Sequence, residues 1–145
     1  MDSGTKVVNK EMHEESVGVL TAISIVAKKL VYICSPYAGN IEKNTKRAQR
    51  YCRFAYTCNK VPVAPHLHNP QFLDEGIVEE RKAGIQLGLE LLKRCDELWI
   101  FGDVLSKGMQ MELEASQKMN IPVRYFNEKC EEREDMCYEQ NKIST

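Results

Sequence analysis

Short apolar runs alternate with helix-length amphipathic stretches along most of this chain, and that alternation restricts its fold more than any other feature. Leu30-Val31-Tyr32-Ile33-Cys34, Val61-Pro62-Val63-Ala64, Leu98-Trp99-Ile100-Phe101 and Ile121-Pro122-Val123-Arg124-Tyr125 are strand-like, and 41–58, 77–94 and 108–119 between them read as helices. Strands separated by helices of that length run parallel and are joined by right-handed crossovers, with helices on both faces of the sheet. Val17, Leu20, Ile23, Ala27 and Leu30 recur at three- and four-residue spacing, which predicts an extra amphipathic helix over 15–29. The expected organisation is an N-terminal extension (1–29), an α/β domain (30–126) and an acidic C-terminal helix and tail (127–145), the helix running from about Glu128 to Gln140.

The 145 residues suit one domain with a real core, and 43% hydrophobic with 28% charged residues is an ordinary globular composition. A net charge of -1 argues against polymeric nucleic acid as a partner. The basic stretch Lys43, Lys46, Arg47, Arg50 and Arg53 reads as a solvated helix face. Cys34, Cys52, Cys58, Cys95, Cys130 and Cys137 form no CxxC pair and follow no secretory signal, so reduced thiols and a cytoplasmic location are expected. The longest apolar stretch, Val17 to Ala27, is too short to span a bilayer, so no membrane partner is expected.

Parallel sheets of this kind bind ligands beyond the carboxyl ends of their strands. Three loops converge there: 35–40, 65–76 and 102–107. The first, Ser35-Pro36-Tyr37-Ala38-Gly39-Asn40, leads into a helix whose free N–H groups suit an anion, although an ordinary strand-to-helix turn has the same composition. Tyr37 reads equally as a base-stacking ring or a packed turn aromatic, and Asn40 as a helix cap or a sugar ligand. Neither GxGxxG nor GxxxxGK[ST] occurs. In the second loop, His66 and His68 are too few to hold a metal and no metal site is expected; His66 can stand at a pocket mouth, and Phe72 and Asp74 can contribute from the same lid-length segment. Gly84 and Gly88, four apart in a helix, read as tight packing or as room for a ligand.

The third loop ends at Ser106, a natural N-cap, and runs into Lys107-Gly108-Met109-Gln110-Met111-Glu112. At about 100° per residue, Glu112 falls in the same arc as Gly108, Met109, Met111, Leu113, Ala115 and Met119. A carboxylate on the packed side of a helix is costly unless something uses it. Two readings follow: a catalytic carboxylate, or a buried acid held by Arg81, Arg124 or Lys107. Side chains lean toward a helix's N-terminus, so Glu112 reaches back toward the strand ends, and Gly108 lets a ligand approach the backbone.

Taken in order, Tyr32-Ile33-Cys34-Ser35-Pro36-Tyr37-Ala38-Gly39-Asn40, Val63-Ala64-Pro65-His66, Cys95-Asp96-Glu97-Leu98-Trp99 and Ser106-Lys107-Gly108-Met109-Gln110-Met111-Glu112 resemble the nucleoside 2-deoxyribosyltransferase-like superfamily over roughly 30–125, in particular a small bacterial and phage branch. The resemblance implies a Rossmann-like three-layer sandwich, chemistry at an N-glycosidic bond with no cofactor, and a homo-oligomer. It places a nucleophilic glutamate at Glu112, which attacks the anomeric carbon before another base or water takes the sugar. Ser35, Pro36, Tyr37, Gly39, Asn40, His66, Asp74, Arg81, Ser106, Gly108 and Met109 are the candidate substrate-binding residues.

Two departures qualify that resemblance. The superfamily carries an aspartate eight residues before the position matched by Asp96, and Gly88 stands there in this chain, with Arg81, Asp74 or Glu79 as possible substitutes. Six residues before the glutamate, where nucleoside-specific members tend to be acidic, this chain has Ser106, which is similar to the deoxynucleoside 5'-monophosphate N-hydrolases and points to a nucleotide. The expected activity is cleavage or transfer at the N-glycosidic bond of a nucleotide or nucleoside. A non-catalytic nucleotide binder on the same fold is the alternative that Gly88 favours.

Overall fold

The computed structural model describes residues 27–134. Most of the helix expected over 15–29 lies outside the described residues; 27–29 lead into the sheet as irregular chain, because the Lys29 carbonyl already accepts from Val61 N at 2.9 Å. The elements in order are β1 (Leu30–Cys34), α1 (Ile41–Thr57), β2 (Val61–Val63), α2 (Pro65–His68), a 3-10 turn (Asn69–Gln71), α3 (Val78–Leu92), β3 (Glu97–Phe101), α4 (Lys107–Lys118), β4 (Val123–Phe126) and β5 (Glu132–Arg133). The sheet order is β2-β1-β3-β4-β5, parallel throughout except for the antiparallel β5. The α/β sandwich expected from the alternating pattern is the fold found.

Strand side chains alternate between faces, and that period divides the core in two. Val31, Ile33, Trp99, Phe101 and Phe126 pack with Tyr51 and Ala55 of α1 on one face. Tyr32, Cys34, Leu98 and Ile100 pack with Leu92 of α3 and Met109 and Leu113 of α4 on the other. The α1 face is aromatic: Tyr51 stacks on Phe101 at 4.2 Å and Trp99 lies 4.9 Å from Phe126. Trp99 is therefore a core residue, with its indole N–H donating to Glu97 Oε1 at 3.2 Å. Truncating such a ring costs about 3–5 kcal/mol.

Two segments differ from expectation. The 65–76 loop is partly ordered into α2 and the 3-10 turn: Pro65 sits at the first helical position, where its missing N–H costs nothing. Asn69, buried, then donates from Nδ2 to the Gly84 carbonyl at 3.4 Å and ties the segment to α3. The helix expected from Glu128 does not begin there. Asn127 Oδ1 accepts from both Lys129 N and Glu131 N at 2.9 Å, and Cys130 takes a left-handed φ of 64°, so the chain turns back as β5. A side chain that captures nearby amides gives the backbone an alternative to a helix. Arg124 and Glu132 close the new strand pair with two 2.8 Å hydrogen bonds; 135–140, the rest of the expected helix, lie outside the described residues.

Candidate active site

In the order β2-β1-β3-β4, the chain leaves β1 in one direction and crosses to β3 in the other. The crevice at such a reversal is where open α/β sheets take ligands. A cleft of about 770 Å³ opens there, between the loop after β1, the α2 and 3-10 segment, α3 and the start of α4. Glu112, Tyr37, His66, Arg81, Ser106, Gly108 and Met109 all line it, as do Tyr32, Glu75, Gly84, Ile85, Gly88 and Lys107.

Glu112 stands on the floor. Tyr32 Oη donates to Glu112 Oε1 at 2.9 Å, and the other oxygen, Oε2, is out of solvent with no hydrogen-bond partner. Burial pushes the Glu112 carboxyl up to about 7, against the opposing pull of the Cys34 thiol and the Tyr32 hydroxyl. The same environment holds both neighbours protonated: burial, then the Glu112 charge, raises the pKa of Tyr32 and of Cys34 well above their ordinary ranges. Cys34 lies near enough to favour the charged carboxylate, but its thiol donates to the Met109 carbonyl at 3.8 Å, so Oε2 itself is left without a hydrogen bond. No cation holds Glu112 among the described residues. Arg124, one of the three partners considered for it, lies on the opposite face of the sheet, 4.7 Å over the Trp99 ring.

The sequence reading missed Tyr32, although the signal was there. Tyr32 and Cys34 share one face of β1, and Met109, Leu113 and Glu112 lie on the helix that covers that face. Met111, expected in the buried arc, is exposed at the cleft, and Ser116 is fully buried instead. Ser116 can be buried because its hydroxyl donates back to the Leu113 carbonyl at 2.6 Å.

Ser106 caps α4, with its Oγ accepting from Met109 N at 3.2 Å, which leaves the hydroxyl hydrogen free to donate. Lys107 and Arg81 bring positive charge to the cleft, and neither forms an ion pair among the described residues. A Cβ at Gly108 would meet no protein atom within 4 Å. Tyr37 stacks on His66 with ring centroids 4.9 Å apart and an interplanar angle of 13°. Burial lowers the His66 pKa, partly offset by a hydrogen bond to the Ser35 backbone, so the imidazole is neutral near pH 7.

Five candidates lie outside the cleft lining. Ser35 is buried at the end of β1, its Oγ unpartnered, and Pro36 follows it in the turn. Gly39 takes a φ of 96° that a side chain would disfavour. Asn40 caps α1, accepting from Lys43 N at 3.1 Å. It faces a separate hollow of about 490 Å³ among Lys43, Lys46, Arg47 and Arg50, where Lys46 pairs with Glu42 and Arg47 with Glu128. Asp74 spends its carboxylate on a turn, accepting from Gly76 N at 2.8 Å.

Gly88 is where the side chain expected from the resemblance is missing. A Cβ there would stand 3.0 Å from Tyr32 Oη, closer than such atoms normally approach. A side chain at Gly88 would therefore press on the Tyr32 hydroxyl, which would have to give by a few tenths of an ångström.

Among solved structures, the 2-deoxyribosyltransferase from the psychrotolerant bacterium Bacillus psychrosaccharolyticus superposes with a TM-score of 0.57 at 18% identity, over 79% of this chain and 82% of that one. A 2-desoxiribosyltransferase from Leishmania mexicana gives 0.48 at 18% identity, over 68% and 64%. At these identities the likeness concerns the fold. No curated protein matches the chain. The model of one family, described as a domain of unknown function (DUF7768), matches residues 29–126, and the chain belongs to that family.

Proposed function

We propose that this protein breaks the N-glycosidic bond of a nucleotide or nucleoside, with Glu112 as nucleophile, and passes the sugar to water or to a second base. The observation that carries this reading is the state of Glu112: one carboxylate oxygen is held by Tyr32 and the other is unpartnered at the floor of a cleft. A buried acid in a purely structural role would have its second oxygen satisfied. In the reaction, Glu112 Oε2 bonds to C1' as the C1'–N bond breaks. The base leaves with that electron pair and takes up a proton from solvent water. Water or another base then attacks C1' and releases the carboxylate. The Tyr32 hydroxyl keeps Oε1 oriented, and the apolar surroundings limit stray hydrolysis. The 2-deoxyribosyltransferase activity of the first structural neighbour accords with this chemistry.

A 5'-monophosphate fits better than a free nucleoside. The first amides of α4, the Ser106 hydroxyl and the unpaired Lys107 and Arg81 together suit a dianion. The absence of an acid at Gly88 favours a second reading, a protein that binds the nucleotide without turning it over. Incubation with deoxynucleosides and their 5'-monophosphates, followed by chromatography of free base, separates the two. Base release that falls at least about a thousandfold in Glu112→Gln supports the enzyme. Monophosphate binding without release supports the binder.

A further inference from the structure

The cleft contains a second carboxylate that the chemistry at Glu112 leaves unused. Glu75 lines the wall formed by α3 and the turn before it. It makes no hydrogen bond or ion pair among the described residues, and its charge is felt by Tyr37, whose pKa is raised first by burial and then by Glu75. A carboxylate beside apolar surface with no protein partner has its acceptor capacity left for a ligand.

The backbone explains why Glu75 and not its neighbours takes this position. Asp74 Oδ1 is bound to Gly76 N at 2.8 Å, Asp74 N donates to Glu80 Oε1 at 3.3 Å, and Ile77 N donates to the Asp74 carbonyl at 3.1 Å. This turn is fixed by its own hydrogen bonds and hands the pocket-facing position to Glu75. Gly84 lies beside it on the same wall: a Cβ there would stand 3.9 Å from Glu75 Oε1, in ordinary contact. Gly88, one helical turn further along the same wall, presents no acid at all.

We propose that Glu75 is the residue that selects the base, accepting a hydrogen bond from an exocyclic amino group on a nucleobase stacked along Tyr37 and His66. The substrate class is thus a nucleotide or nucleoside whose base carries an amino group, as in adenine or cytosine. Oxo-bearing counterparts set a carbonyl lone pair against the carboxylate and are disfavoured. This inference rests on the nucleotide reading of the cleft; it requires binding there, not turnover.

The test compares deoxyadenosine with deoxyinosine 5'-monophosphate, and deoxycytidine with deoxyuridine 5'-monophosphate, by calorimetric affinity and by base release. The wild-type chain is expected to favour the amino member of at least one pair by about tenfold or more. Glu75→Gln, whose amide can both donate and accept, is expected to bring that ratio near unity, while Glu114→Gln, an exposed acid outside the cleft lining, leaves it unchanged. Equal affinities in the wild type, or a preference that survives Glu75→Gln, overturn the assignment, and Glu112-dependent base release in that case leaves the enzymatic reading standing. Amino selectivity in binding that depends on Glu75, without release of any base, supports the assignment and refutes the enzyme.

Discussion

Glu112 is held out of water with a hydrogen bond from Tyr32, and the pH behaviour of the molecule follows from that burial, which the hydrogen bond only partly offsets. The carboxyl rises from an ordinary 4.5 to about 7 in the fold. Between those values the folded state binds a proton that the unfolded state has lost, so stability falls as pH rises through this window. The penalty is absent below the unfolded value and complete above the folded one, where it amounts to roughly 3 kcal/mol. Glu112→Gln is therefore expected to be more stable than wild type above pH 7 by up to that amount, with the difference shrinking toward pH 4; denaturant melts across pH check it. A nucleophile must be ionised, so base release is expected to rise with pH through about 7. In Tyr32→Phe, a donor that favours the charged form is gone. The rise should move to higher pH, with kcat/KM about tenfold lower at pH 7.

Among the elements, α3 and the two capped helices carry the sharpest expectations. Gly84 and Gly88 occupy one wall of the same helix but meet different surroundings. A Cβ at Gly84 finds Leu73 at 3.6 Å, an ordinary contact, whereas at Gly88 it finds Tyr32 Oη at 3.0 Å. Gly84→Ala should gain about 0.5–1 kcal/mol in thermal or denaturant unfolding from helix propensity alone. Gly88→Ala should lose that gain and displace the tyrosine, and so reproduce the pH shift of Tyr32→Phe. Asn40→Ala, which removes a cap outside the cleft, should cost about 1 kcal/mol and leave base release as it was. The positions of α1, α3 and α4 were legible to within a residue or two because apolar period and caps are local signals. The order within 65–76 was not. It depends on Asn69 reaching Gly84, a contact between segments far apart in sequence. The acidic C-terminal segment reads as helix by composition, yet over its described part, 127–134, Asn127 and Cys130 turn the chain back into a strand pair.

At the scale of the whole molecule, the sheet order creates the site. Because the order in which strands are added to the sheet reverses between the parallel β1 and β3, their carboxyl ends leave a crevice, and the loops after both strands border it. That much was readable from the alternation of strands and helices, as was the inward placement of Glu112. The partners of Glu112 were harder to read. Charge pairing suggested Arg81, Arg124 or Lys107, but the sheet sends Arg124 to the far face and sets the Tyr32 hydroxyl against the carboxylate. Glu75 was invisible for a related reason, since its direction is set by how its neighbour Asp74 is consumed in the turn. No helix among the described residues is long and apolar enough to cross a membrane. The most direct test of the central claim is to incubate the protein with a 2'-fluoro-arabinosyl 5'-monophosphate, which slows release of a glycosyl-enzyme, and to locate any adduct by peptide mass spectrometry. The account predicts a sugar-phosphate mass on the peptide containing Glu112, absent in Glu112→Gln. An adduct on another residue, or base release with no dependence on Glu112, would contradict it.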